Sequence, residues 1–490
     1  MRTNPLRVAV VGAGAGGLFA AAFLARAGVR VEVFEAQAHV GGCASCFSIG
    51  PRRFHAGATT LVGLEPDMPL ARMLAALELD LPHHVLENTL AIVHGGERRV
   101  MSHDTEVNAE AFTARYGAGL GAFWRHAARV APLAWSFIGD AALPPGGVED
   151  LAALAADPRA WALLPDVVST TSAKVRRLGP VNAEGLTLLD ELLLVSTQST
   201  AAQTPALFGA VGCEYLQRRL YMPHGGLGSL FERLSAQVVA TCGAVHLRSP
   251  VEGVRADAER PTVRVGGLEV AYDAVVLGVT CWDAAKLVTG DVRPFFARQA
   301  ARHDRAWSAA GGYFAFDDVF AEGQAVYTQV VLDAPMQSTG ARGVFVTIPP
   351  RGDTALAGLP GERCLTVSCH TAPESWFDAS PEAFAERRAL LLEELHKALR
   401  IAVPALAGAK CHAAHPATPR TWAGFTGRHL GRVGGLPFGR DLRTLAYPTG
   451  RTPHERLLAV GDTVFPGQSV TATALGARRA AERLLATLRA

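Results

Sequence analysis

Gly12, Gly14 and Gly17 stand at G-x-G-x-x-G spacing, with Gly16 as an extra small residue, directly after the β-branched run Val8 to Val11. Glu35 closes a second such run, Val29 to Phe34, about 20 residues further on. Each position has a chemical reason. The first glycine permits a tight turn out of a strand. The second lets a pyrophosphate approach the backbone, and the third lets a helix pack closely on the sheet. That helix runs through Leu18, Ala21, Ala22 and Leu24, and Gly28 is placed to stop it. Its N-terminus offers free N–H groups to phosphates, and a carboxylate at Glu35 accepts hydrogen bonds from ribose hydroxyls. The pattern predicts a strand–helix–strand unit that binds a dinucleotide. The uncharged stretch Val8 to Ala25 also has the length of a membrane or leader segment, but its glycines and the strand that follows fit that reading badly.

The 490 residues suggest roughly two to four domains. The 47 Lys and Arg against 45 Asp and Glu give a net charge of +2, with the arginines scattered. This argues against a nucleic-acid groove or a polybasic membrane anchor. Of eight cysteines, Cys43 and Cys46 form one C-x-x-C with no second copy, so zinc is not expected. A redox pair and two packed small residues beside a cofactor both remain open. Cys411, His412 and His415 read as loop chemistry rather than a metal site. No metal is expected, and the first strand's early start reads as an intracellular, cytoplasmic chain with reduced thiols.

In chain order, Gly41-Gly42 follows Glu35 after a short spacer, and Phe54-His55-Ala56-Gly57-Ala58-Thr59-Thr60 comes next. Met68 to Leu79 has helical periodicity, and Val85 to Val93 with Arg98 to Met101 reads as a hairpin across His94-Gly95-Gly96. Asn108 to Gly212 is mostly helical and is broken at Leu143-Pro-Pro-Gly-Gly147. Between Leu186 and Gly212 the only charges are Asp190 and Glu191. That reads as a buried helix pair and equally as a greasy tunnel wall or membrane-resting face. Tyr221-Met-Pro-His-Gly-Gly226 opens a helix over Leu227 to Ala240, and Gly312 to His370 alternates short β runs with turns. Ser380, Pro381 and Glu382 start a further helix. Near the C-terminus, Leu457 to Val460 is a strand, Gly461-Asp462 and Pro466-Gly467 follow, and a helix begins near Val470.

These motifs together resemble the flavin-dependent phytoene desaturase and carotenoid isomerase family, within the wider amine-oxidase-like fold. Its members carry G-x-G-x-x-G, then E-x6-G-G, then a phenylalanine closely followed by glycine. This chain departs at Cys43, where many members have arginine, and at His55, where aspartate is usual. The resemblance is strongest over 7–64, 221–254, 415–437 and 457–485, and within the family the 3,4-desaturase and isomerase branches look nearest. It implies an α/β fold: a Rossmann-like FAD-binding domain with a discontinuous substrate domain of mixed sheet and apolar helices. The expected division is FAD-binding parts at 1–85, 213–290 and 440–490, a helical substrate or membrane-facing part at 86–212, and a β-sheet substrate domain at 291–439.

The resemblance also implies FAD ligands at Gly12, Ala13, Gly14, Gly16, Gly17, Glu35, Ala36, Gly41, Gly42, Cys43, Gly57, Ala58, Thr59, Val251, Gly461, Asp462, Gly467 and Val470. His224 reads as a turn residue. A second fingerprint for NAD(P)H is not visible. Glu35 also disfavours a 2′-phosphate, since unit charges 4 Å apart repel by about 4 kcal/mol at an effective permittivity near 20. The implied activity is oxidoreduction of a long apolar polyene, foremost carotenoid desaturation by hydride transfer to the flavin, with oxygen or a quinone as electron acceptor. A cis–trans isomerase or retinol-saturase-like reductase, an amine-oxidase-like enzyme and a non-catalytic FAD-binding paralogue are the alternatives. A lipid-soluble isoprenoid implies peripheral membrane contact. The sequence nominates no catalytic acid or base.

Overall fold

The computed structural model describes residues 6–489 except 88, 142, 144, 146, 258 and 440–446. Two sheets organise it. The first is parallel, with spatial order Leu457–Ala459, Ala274–Leu277, Arg7–Val11, Arg30–Phe34, Gly243–His246. Its central strand is apolar at nearly every position because both faces are covered. Val8 and Val10 face a core shared with the helices Ala15–Arg26, Gly228–Thr241 and Val470–Arg489. Ala9 and Val11 face the opposite core, with Val254, Tyr272 and Phe296. This is a doubly covered, Rossmann-like layer assembled from three separated stretches of chain.

The second sheet has seven strands, in the order Cys411–Ala417, Ser308–Asp317, Glu362–Thr371, Gly343–Thr347, Tyr327–Val331, Leu90–His94, Glu97–Val100. Leu90–His94 runs parallel to Tyr327–Val331; the other pairings are antiparallel. The helix Pro381–Ala402, its N-terminus capped by the Ser380 hydroxyl accepting from the Ala383 N–H, covers one face. The other face looks towards the helical stretch 105–214, in which Leu188, Leu189, Leu192 and Leu193 enter a core with Phe112, Phe123 and Trp124.

Most expected elements form within a few residues of their expected bounds. The stretch read as one strand, Val85 to Val93, is two. His83–Leu86 pairs with Leu220–Pro223, and only Leu90–His94 makes the hairpin with Glu97–Val100. The reason is topological: the first piece ties down the chain before the Gly225-Gly226 turn, while the second joins the seven-stranded sheet. The break at 143–147 separates the helices Ala118–Asp140 and Val148–Ala156; its residues 144 and 146, and the expected boundary at 440, lie outside the described residues.

Candidate dinucleotide groove and apolar cavity

The groove begins where the Arg7–Val11 strand ends. Gly12 has φ 95°, which an L side chain resists. Its N–H donates to the Phe34 carbonyl at 2.8 Å, locking the turn to the neighbouring strand. A Cβ on Gly17 would run into the Gly12 carbonyl oxygen, and one on Gly16 would lie 2.7 Å from the Gly461 nitrogen. Helix, turn and C-terminal strand therefore meet at backbone distance. Above Gly14 and Gly461 the space is open. The Ala15–Arg26 helix has no side-chain cap at its N-terminus, so its first N–H groups remain for a ligand.

Glu35 is nearly buried, at 9% exposure. Its Oε2 accepts from the Ala13 N–H at 2.7 Å and its Oε1 from the Gln37 N–H at 2.8 Å. The carboxylate thus braces the glycine turn, and each oxygen keeps a lone pair for a hydroxyl. Gly41 pairs with Gly14, and its N–H donates to the Ala13 carbonyl at 2.8 Å, drawing Gly41-Gly42-Cys43 to the helix N-terminus. Ala36 is exposed just beyond Glu35. Val251 begins a strand two residues after Ser249, whose N–H donates to the Glu35 carbonyl at 2.8 Å.

An uncapped helix N-terminus, glycines whose missing Cβ atoms leave an open cradle, and a buried carboxylate at the strand end fit the ADP half of FAD. Asp462, beside Gly461, accepts from Arg428 Nη1 at 2.7 Å. Burial works against the Arg428 charge, but Asp462 offsets it and holds the guanidinium above its ordinary value. Cys43 lies within the same field, its thiol pushed up by burial despite Arg428. Gly467 packs under Phe438 and Tyr447 and is buried. Val470 opens the last helix, where the Ser469 hydroxyl accepts from the Ala472 N–H at 3.1 Å.

Cys43, Gly57, Ala58 and Thr59 from one side, and Gln468 to Ala472 from the other, line a cavity of about 550 Å³. Its remaining wall is almost wholly apolar: Ala134, Phe137 and Ile138; Leu154, Leu163 and Val167; Leu194, Val195, Phe208 and Val211. The stretch 186–212 therefore supplies both a buried core and a cavity wall. None of its large apolar side chains is strongly exposed; Val148, Leu151, Trp161, Leu164 and Val168, on the two helices between 148 and 168, are, as are others scattered over the surface such as Val239 and Leu268.

Among the polar residues at this cavity not marked in the sequence are Gln198, His370 and Gln468. Gln198 ends the Ala183–Thr197 helix in a left-handed conformation, φ 58°. Its Nε2 lies 3.0 Å from His370 Nε2 and 3.1 Å from Gln468 Oε1. Burial pushes the His370 imidazole down to about 4, so it is neutral. These residues are 270 positions apart in the chain at their extremes, and no local motif announces them. Arg428 lies within the span 415–437, and its pairing with Asp462 gives it a role. His55 is buried beside Cys46 and Gly226, its imidazole pushed down to about 4 by burial and then by Arg53. Cys46 packs against Gly226 and Gly228, and burial raises its thiol too.

Residues 10–77 match the NAD(P)-binding Rossmann-like domain family. The chloroplastic prolycopene isomerase of Arabidopsis thaliana is 25% identical over 312 residues, 61% of this chain and 51% of that protein. That of Daucus carota is 24% identical over 321 residues, 62% and 51%. The chain is similar to these prolycopene isomerases over part of its length. It spans about half the length of those relatives. Among solved structures, putrescine oxidase bound to putrescine superposes with TM-score 0.64 at 18% identity, covering 99% of this chain and 100% of that one. An oxidoreductase from Methanosarcina mazei gives 0.63 at 17%, covering 97% and 100%. Cyclohexylamine oxidase from Brevibacterium oxydans gives 0.60 at 15%, covering 99% of both. The fold is amine-oxidase-like along its whole length.

Proposed function

We propose that this protein is an FAD-dependent enzyme that acts on a long apolar polyene, and that its net reaction is cis–trans isomerisation. The observation that carries the reading is an apolar cavity lined by Cys43, Gly57–Thr59 and Gln468–Ala472, with Cys43 next in the chain to the Gly41-Gly42 turn that is bridged to Gly14 at the helix N-terminus. Isomerisation is favoured over the alternatives by the relatives, which are named prolycopene isomerases. Bound there, the flavin would supply reversible electron transfer to and from a conjugated chain.

The protein's own residues do the rest. The Gly12–Gly17 turn, Glu35 and Gly41-Gly42 would hold the adenosine diphosphate end, and Arg428 would set a positive charge near the diphosphate where many members of the resembled family have arginine at position 43. The N-terminal end of the Val470–Arg489 helix would favour negative charge on the flavin by about 0.3–1 kcal/mol. The apolar wall excludes water and binds hydrocarbon at roughly 25 cal/mol per Å² buried. Desaturation is a second reading, favoured by the neutral His370 imidazole in the cavity wall, whose Nε2 accepts from the Gln198 amide.

We further read the helices Val148–Ala156 and Pro158–Val168 as the membrane-facing mouth. Leu154, Leu163 and Val167 line the cavity, while Val148, Leu151, Trp161 and Val168 are 83%, 54%, 61% and 57% exposed on the same helices. Among the described residues no helix is long and apolar enough to cross a membrane.

Co-expression in a host that accumulates carotenoids, with product geometry and mass measured, tests the reaction. Unchanged mass with altered geometry is the expected result. A product lighter by two hydrogens would replace isomerisation with desaturation, and unaltered pigment from a flavin-loaded protein would overturn both.

A further inference from the structure

One imidazole in the cavity wall has the place of its hydrogen fixed by its neighbours. The chain of bonds starts at two backbone carbonyls, which can only accept. Gln468 Nε2 lies 3.0 Å from the Val195 carbonyl, so the amide nitrogen is on that side and Oε1 faces Gln198. Gln198 Nε2 lies 3.2 Å from the Leu194 carbonyl and 3.1 Å from that Oε1, so its orientation is settled twice over. The same nitrogen is 3.0 Å from His370 Nε2. An amide NH2 donates, so His370 Nε2 accepts and the ring carries its hydrogen on Nδ1. The Gln198 backbone is held too. Its carbonyl accepts from Trp307 Nε1 at 3.0 Å, and the Trp307 ring meets the His370 ring edge-on, centroids 6.4 Å apart.

His370 lines the cavity and keeps part of its surface accessible there. Among the described residues nothing bonds to its Nδ1, and that atom is not sealed off as Nε2 of His55 is. The wall therefore shows the cavity an N–H with no protein acceptor. This N–H stands at the groove's end of the cavity. Gln468 comes two residues before Val470, where the last helix starts. Gly434 packs on the Gln198 amide so closely that a Cβ would lie 2.5 Å from Nε2. A Cβ on Gly435 would lie 2.2 Å from the Asp462 carbonyl oxygen. Two consecutive glycines thus connect the Gln198 amide to the residue beside Gly461.

We propose that His370 contacts the flavin ring itself, donating from Nδ1–H to the edge that carries negative charge when the flavin is reduced, and that Gln198 is the positioning residue that keeps the hydrogen on Nδ1. A hydrocarbon offers this N–H no acceptor, whereas a flavin ring carries nitrogens and oxygens along that edge. The N-terminal end of the Val470–Arg489 helix favours negative charge in the same place, so helix and imidazole act in one direction. A hydrogen bond to a charged acceptor is stronger than one to a neutral acceptor, and the contact therefore favours the reduced form. The inference rests on the FAD reading above and adds to it a residue that no motif marked.

The readout is the reduction potential of the bound flavin, measured against dyes of known potential, with no turnover required. His370→Phe keeps a ring and removes the N–H. It is expected to weaken the binding of reduced relative to oxidised flavin about tenfold, which lowers the potential by about 30 mV for a two-electron couple. His370→Asn, whose side-chain N–H falls near the place of Nδ1, stays within about threefold of the unaltered protein. Gln198→Met frees the ring to carry its hydrogen on either nitrogen and gives a smaller drop of the same sign, about threefold. An unchanged or raised potential in His370→Phe overturns the contact. A drop in His370→Asn as large as that in His370→Phe also overturns it, because packing is then the cause. Should His370→Phe release its flavin, Gln198→Met decides: a lowered potential supports the contact and an unchanged one overturns it. Unaltered protein that takes up no FAD overturns the FAD reading, and the contact with it.

Discussion

The groove and the cavity meet at the same residues, yet they are built on opposite principles. In the groove, recognition is by backbone. A Cβ on Gly16 would meet Gly461 and one on Gly17 would meet Gly12 at distances that exclude a single added carbon, and the groove's charges are few and engaged: Glu35 on Ala13 and Gln37, Asp462 on Arg428. In the cavity, recognition is by side-chain shape. Its wall is drawn from many separated segments, so its recognition is spread over side chains of ordinary type. The first kind of site is rigid and particular about composition; the second is plastic and particular only about volume and polarity.

That contrast can be broken in order of expected effect. Gly17→Ala drives a methyl group into the Gly12 carbonyl, and the turn cannot yield without losing its bond to Phe34. A loss on the order of 3 kcal/mol or more is expected, seen as a lower Tm and loss of bound flavin. If the variant folds and binds flavin normally, the groove is not backbone-limited. Arg428→Met leaves Asp462 without its cation. The pair's side chains are 21% and 16% exposed, so the cost is below that of a fully buried pair, about 1–3 kcal/mol. FAD affinity, measured by equilibrium dialysis, is expected to fall about tenfold to a hundredfold.

Val211→Trp sharpens the comparison from the other side. It fills the cavity wall, so polyene affinity drops by about tenfold or more while flavin content and Tm barely move. Equal losses of flavin and polyene would mean the two spaces are not separable. The smallest effect is on pH dependence. Burial keeps His55, His303 and His370 neutral, each pushed down to about 4. The unfolded chain takes up protons near pH 6.5 and the folded chain does not. Stability is therefore full above that pH, falls as the pH drops towards 4, and flattens below it. His55→Asn is expected to remove about 1 kcal/mol per pH unit of that slope, measured as Tm against pH.

The same contrast explains what could be read from the chain. The glycine turn, Glu35, Gly41-Gly42 and Gly461 were legible because backbone recognition fixes residue type at fixed spacing. The parallel strands were legible because burial on both faces makes them uniformly apolar. Val85 to Val93 was misread as one strand because the switch of partner between Leu86 and Leu90 leaves no mark on β propensity. Gln198, His370 and Gln468 were invisible because they are distant in sequence and ordinary in type; only the crossing of the Ala183–Thr197 helix, the Glu362–Thr371 strand and the last helix brings them together. The apolar segment Leu186 to Gly212 announced burial but not against what. Its two charges, Asp190 and Glu191, were the hint that the wall is not uniform.

The central claim is that a flavin in the groove faces a polyene in the cavity. Titration of the purified, FAD-loaded protein with polyene, following the flavin absorption band, tests it most directly. The account requires a saturable change in the flavin band that Val211→Trp abolishes without releasing flavin. A protein that cannot be loaded with FAD, or one whose bound flavin is indifferent to a polyene that demonstrably binds, would contradict it.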